Sequence, residues 1–165
     1  MKTLGRITER EALAASESWG ANCGPAALAA VIGESLEFVR PHMGDFERKG
    51  YTNPTMMYRA LQSLGVEWRR ADGRGWLPRG LVRIQWTGPW TRPGVPARVA
   101  YRHTHWVACA RRANRVGIFD VNCCNNGTGW VTLDDWEGII APYLIAQHPR
   151  AEGWEPREAI AIVRF

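Results

Sequence analysis

Residues 22–33 read NCGPAALAAVIG, and this stretch determines how the N-terminal part of the chain is expected to fold. Its apolar side chains are spaced for one buried helix face, and the glycine at its end is a typical helix stop. Pro25 suits the first turn of a helix, because its missing N–H would have no partner there. We therefore predict a helix over residues 25–32, with Cys23 at or just before its N-terminus.

Cys23 is the candidate nucleophile. The unpaired N–H groups and the positive dipole end of a helix N-terminus stabilise a thiolate, which is the reactive form of cysteine. The other cysteines are Cys109, Cys123 and Cys124, and no Cys or His spacing typical of structural zinc occurs. Cys109 is predicted to be a core residue, and the adjacent pair to be small residues at a strand end, with a redox role as the alternative. We predict no metal and no cofactor.

The composition bounds the protein class. A length of 165 residues suits one domain over residues 1–165, and 45% hydrophobic content with nine Trp excludes a disordered chain. No apolar run is long enough to span a membrane, and the N-terminus lacks the apolar segment of a secretory signal, so we expect a cytoplasmic protein. The net charge is +5. The arginines of the chain are scattered and form no basic block with interleaved aromatic residues, which argues against nucleic-acid binding.

Helical patterns precede strand patterns along the chain. This order predicts an α+β fold, in which helices within about residues 1–65 pack on an antiparallel sheet formed by about residues 66–165. The predicted helices cover residues 9–18, 25–32, 36–43, 56–64 and 133–142. The predicted strands cover residues 66–68, 80–86, 99–101, 105–110, 116–121, 130–132 and 159–163.

A cysteine nucleophile needs a base and a group that orients the base. His105 leads directly into a buried strand and is the favoured base, while His103 shares its face by alternation and stays the competing base. Asp120 ends the next strand, so a hairpin would bring its carboxylate to His105. Asn122 is the alternative orienting residue. Trp106, beside His105, is expected to shield the base from water.

Three motifs carry a family resemblance. CGPAAL (residues 23–28), HWV (residues 105–107) and Phe119-Asp120, in this order, resemble papain-fold cysteine peptidases, and most of all their C39-like group, which includes the leader-cleaving domains of bacteriocin exporters. The resemblance covers roughly residues 17–122. It implies a papain-like fold and a thiol hydrolase that cleaves peptide or isopeptide amide bonds of a peptide or protein substrate, with a Cys-His-Asp triad.

One position departs from that family pattern. The family usually places Gln six residues before the nucleophile, where it donates to the oxyanion, and this chain has Glu17 there. An ionised carboxylate cannot donate a hydrogen bond. Glu17 therefore leaves open a catalytically degenerate protein that serves as a binding or structural component of a larger assembly, virions included. A second alternative is an amidase of cell-wall peptides, because the positive net charge would suit an anionic wall.

Overall fold

A six-stranded antiparallel sheet follows a series of short helices in this α+β fold. The computed structural model describes residues 3–72 and 75–165. The strands are β1 (Glu67–Arg70), β2 (Arg79–Thr87), β3 (Thr104–Arg112), β4 (Arg115–Phe119), β5 (Trp130–Thr132) and β6 (Gly153–Arg164). Their order in the sheet is β1-β6-β2-β3-β4-β5.

The helices are short, and most of them precede the central strands. They are α1 (Glu9–Trp19), α2 (Cys23–Ile32), α3 (Leu36–Val39), α4 (Phe46–Lys49), α5 (Pro54–Ser63), α6 (Ala97–Ala100), α7 (Leu133–Asp135) and α8 (Ala141–Gln147). Short 3₁₀ segments cover Arg40–His42, Pro89–Thr91 and Val121–Asn126, and a π-helical turn covers Trp136–Ile140. Among the described residues, no helix has the length and apolarity needed to cross a membrane.

Helix α2 lies in the core and packs on β3. All of its residues after Cys23 are buried, which fits a helix whose surface is apolar on every side. Asn22 caps its N-terminus through its side chain, and Gly33 ends it in the left-handed conformation at φ 78°. The predicted cysteine helix and its glycine stop are therefore confirmed, with the start moved to Cys23.

Apolar side chains cover both faces of the sheet. Trp106 and Ala108 of β3 belong to the cluster formed with α2, whereas Val107 and Cys109 belong to a second cluster on the opposite face with Trp136. This follows from the alternation of side chains along a strand. Strand β3 thereby separates the helical layer from the layer formed by the segment after β5.

Three local predictions are wrong. Residues 99–101 were predicted as a strand, but α6 ends there, and the Val99 N–H donates to the Pro96 carbonyl in a local turn. The helix predicted over residues 133–142 continues to Gln147, because its proline lies in the first turn of α8, where no N–H is needed. The Cys123–Cys124 pair lies in a 3₁₀ turn rather than at a strand end.

Candidate active site

Cys23 is the first residue of α2, and its side chain is partly exposed. The preceding loop is fixed by Asn22, whose Oδ1 accepts from the Gly24 N–H (3.3 Å) and whose Nδ2 donates to the Gly50 carbonyl (3.0 Å). Within the described residues, the Cys23 N–H donates no hydrogen bond. Cys23 thus has a free backbone donor at the positive end of a ten-residue helix.

Strand β3 extends beyond its neighbour at the point where it meets Cys23. Strand β4 ends at Phe119, opposite Ala108, so the first residues of β3 have no partner in β4. The N-terminus of α2 lies against this part of β3, close enough for the His105 side chain and the Trp106 backbone to act electrostatically on the Cys23 thiol. The early end of β4 is therefore what lets a helix N-terminus approach the strand that carries the base.

His105 and Asp120 form a buried pair. The His105 Nε2 lies 2.9 Å from the Asp120 Oδ2, which leaves Nδ1 of the imidazole for Cys23. His105 is 8% exposed and Asp120 is fully buried. The β3–β4 hairpin brings them together, as the sequence predicted.

Asp120 accepts four hydrogen bonds. Its Oδ2 accepts from His105 and from the Trp136 Nε1–H (2.9 Å), while its Oδ1 accepts from the Asn122 backbone N–H (2.9 Å) and Nδ2 (2.8 Å). Two donors on each oxygen satisfy a buried carboxylate and hold it in the charged form. The anion is thus fixed in position before any substrate binds.

The site favours a charged triad. Burial raises the pKa of the Cys23 thiol, but the charge of His105 and the hydrogen bonds from His105 and Trp106 lower it below its usual value. Burial lowers the pKa of His105, whereas Asp120 and Cys23 raise it well above the usual value. Burial raises the pKa of Asp120, but His105, Trp136 and Asn122 together bring it down to about 2. All three shifts favour a thiolate–imidazolium pair supported by a carboxylate.

The other three cysteines are in a different electrostatic environment. Burial raises the pKa of Cys109 to about 11 and the pKa values of Cys123 and Cys124 to about 12. All three are buried, and all four cysteines are free thiols. Cys23 is the one cysteine in the chain whose pKa is lowered, so its reactivity is set by the site rather than by residue type.

Two tryptophans shield the imidazole–carboxylate pair. The Trp86 ring stacks on His105, with centroids 5.9 Å apart and planes inclined by 24°, and Trp136 is fully buried beside Asp120. The prediction that Trp106 shields the base is wrong, because the Trp106 side chain lies on the face of β3 opposite to His105 and donates its Nε1–H to the Thr52 carbonyl (2.7 Å). Alternation along β3 could have shown this, but no sequence signal placed Trp136 at the site.

The two alternative residues have other roles. His103 stacks on Trp90 with ring centroids 3.7 Å apart, and its Nδ1 lies 3.2 Å from the His148 Nε2, so it belongs to a separate aromatic cluster. Asn122 orients Asp120 rather than the base. Of the two candidate histidines, His105 is therefore the one that contacts Asp120, and neither His103 nor Asn122 forms a hydrogen bond with His105 among the described residues.

Glu17 lies in α1, six residues before Cys23, and its side chain is exposed. Within the described residues, no hydrogen bond or ion pair joins Glu17 to Cys23, His105 or Asp120. Residues 3–72 and 75–165 contain no group of three or more His, Cys, Asp or Glu side chains arranged to hold a metal ion. No protein-family model matches the sequence, and no curated protein matches it significantly.

Proposed function

We propose that the protein is a papain-like thiol hydrolase of the C39-like type that cleaves peptide or isopeptide amide bonds. The observation that carries this proposal is the linked arrangement of Cys23, His105 and Asp120, with the cysteine at a helix N-terminus and the carboxylate saturated by hydrogen bonds. The proposal also rests on the order and identity of the CGPA, HWV and Asp motifs.

The chemistry follows from the charge state of the site. The Cys23 thiolate attacks the carbonyl carbon of the amide, and the imidazolium of His105 transfers its proton to the departing amine nitrogen. The product is a thioester on Cys23, with neutral His105. Water then loses a proton to His105 as it attacks the thioester, and the acid product leaves as Cys23 returns to the thiolate form. Asp120 keeps the imidazole oriented throughout.

The free Cys23 N–H is positioned to donate to the oxyanion that forms during attack. The Gly24 N–H cannot serve, because it donates to Asn22, and Pro25 has no N–H. One backbone donor and the helix dipole thus supply the electrostatic stabilisation that the described residues offer at this point.

The test combines a mixture of fluorogenic peptide amides with variants of single cysteines. We expect hydrolysis by the wild-type protein and its loss in Cys23→Ala. The matched control is Cys124→Ala, which removes a buried thiol of high pKa and leaves the triad intact. Hydrolysis that persists in Cys23→Ala would refute the proposal.

Glu17 favours a second candidate, a degenerate member of the same fold that binds a partner within a larger assembly. This position carries an exposed carboxylate where the related peptidases have a donating amide. Glu17→Gln separates the two candidates. In an enzyme limited by its oxyanion site, we expect faster hydrolysis with unchanged Cys23 reactivity, because replacing one oxyanion donor changes turnover by about 10²–10³-fold. A degenerate protein stays without turnover in both forms.

A further inference from the structure

A cleft lies beside the turn of the β3–β4 hairpin, away from Cys23. It has a volume of about 560 Å³ and lies between the N-terminal segment, residues 4–6, and the adjoining parts of β3, β4 and β5. Ligand sites in proteins typically have volumes of about 300–1,000 Å³. Ala110 and Arg112 of β3 line the cleft, and at about 3.3 Å per residue they lie roughly 16 Å and 23 Å along the strand from His105.

Small residues form the floor of this cleft. Ala110 of β3 and Gly117 of β4 are paired across the hairpin, and both line the cleft. The N-terminal segment packs beside them through Gly5, whose N–H donates to the Ala30 carbonyl and whose carbonyl accepts from the Trp130 Nε1–H (2.7 Å). The cleft is thus a defined gap in the layer that covers this face of the sheet.

Three arginines line the cleft without carboxylate partners. Arg112 and Arg115 are directly opposite each other in the β3–β4 hairpin, and Arg6 approaches from the N-terminal segment. In the part of the chain that the structure describes, none of the three forms an ion pair. Like charges directly opposite each other in a sheet destabilise it. A bound anion would remove this repulsion.

The other charged residues around the cleft leave its net charge positive. Asp135 also lines it, but its carboxylate accepts a hydrogen bond from the Thr132 hydroxyl (2.7 Å). Arg79 is buried nearby with its guanidinium donating to the Val31 carbonyl, and Arg112 acts on it electrostatically. Arginine forks match the geometry of carboxylate and phosphate oxygens.

We propose that this cleft binds a small organic or inorganic anion with at least two negative charges on phosphate or carboxylate oxygens. The opposed pair Arg112 and Arg115 contacts the anion from the hairpin, and Arg6 contacts it from the other wall. This proposal does not depend on the thiol chemistry of Cys23.

Calorimetric titration at low ionic strength tests the proposal with two probes, inorganic pyrophosphate and citrate. We expect the wild-type protein to bind at least one of them, and the stronger probe identifies phosphate or carboxylate as the preferred group. Arg112→Ala and Arg115→Ala should each weaken binding about tenfold or more, the scale of one lost charge-assisted hydrogen bond. Arg111→Ala is the matched control, because this exposed neighbour lies outside the cleft and points to the other face.

A second variant tests the cleft by shape instead of charge. A Cβ at Gly117 would meet the Trp130 ring at an ordinary 3.5 Å, so Gly117→Val is expected to fold while its side chain fills the floor. Loss of binding in Gly117→Val, with thermal unfolding near that of the wild type and with normal binding by Cys23→Ala, supports the site. No binding of either probe, or equal binding by the Arg112→Ala and Arg111→Ala variants, would overturn it.

Discussion

Replacing Asp120 with Asn changes one atom of the side chain and conflicts with the surroundings of the carboxylate. Asp120 accepts two hydrogen bonds on each oxygen, from His105 and Trp136 on Oδ2 and from two Asn122 groups on Oδ1. An amide has one accepting oxygen and one donating NH₂. With its NH₂ at the Oδ2 position the introduced amide faces the buried Trp136 Nε1–H and the His105 ring, and with its NH₂ at the Oδ1 position it faces the two Asn122 donors.

The magnitude follows from these lost hydrogen bonds. Each buried donor left without an acceptor costs about 1–3 kcal/mol, and breaking a buried ion pair by removing one partner costs about 3–5 kcal/mol. These two figures describe the same disruption and are not added. We expect Asp120→Asn to lower the free energy of unfolding by about 3–5 kcal/mol. The pKa of His105 also falls, because Asp120 is the strongest of the groups that raise it.

Two assays follow the two effects. Urea unfolding at pH 7 measures the stability loss, and alkylation of Cys23 at pH 6 measures the loss of the ion pair. Without the Asp120 charge the imidazolium is less stable, so a larger fraction of Cys23 is the unreactive thiol. We therefore expect alkylation of the folded variant at pH 6 to be slower than that of the wild type.

The matched control is Asp134→Asn, which changes an exposed aspartate of α7 in the same way. It should leave both unfolding and alkylation unchanged. If Asp120→Asn were as stable as this control, the carboxylate would not have the structural role argued for it. If the variant were alkylated as fast as the wild type at pH 6, the carboxylate would not have the electrostatic role.

Further outcomes follow from the same contacts. Acidification from pH 5 to pH 2 should remove about 2 kcal/mol of stability through Asp120 alone, as urea unfolding at several pH values would measure. The folded pKa of Asp120 is about 2 and the unfolded pKa is near 3.9, so the stability that Asp120 contributes is lost as the pH falls from the unfolded to the folded value. Initial rates of hydrolysis should follow a bell-shaped pH profile. The acid limb reflects protonation of the Cys23 thiolate, whose pKa is lowered, and the alkaline limb reflects loss of the His105 proton, whose pKa is raised well above its usual value. Trp136→Phe should cost about 2–3 kcal/mol in chemical unfolding, because it removes one hydrogen bond to a buried carboxylate and leaves a gap in the core.

The sequence predicted the parts of the fold that depend on local patterns. The small apolar residues of α2, Pro25 in its first turn and its glycine stop are all local signals, so the helix and the position of Cys23 followed from them. The hairpin that joins His105 to Asp120 also followed, because the two apolar runs are separated by a short polar turn. These features need no knowledge of distant contacts.

Features that depend on tertiary contacts did not follow. The hydrogen bond from Trp136 to Asp120 depends on how the segment after β5 folds back over the sheet. A different kind of miss is the strand predicted over residues 99–101, where a local turn places residues 97–100 in a short helix instead. The opposition of Arg112 and Arg115 depends on the exact hairpin register.

The central claim is that Cys23 is a thiolate paired with His105, and the rate of iodoacetamide labelling at Cys23 against pH tests it most directly. Wild-type protein should label rapidly below pH 7, His105→Ala should label slowly there, and the other three cysteines should stay unlabelled in the folded protein. Slow labelling with an ordinary thiol profile near pH 8.5 in both proteins would contradict the account.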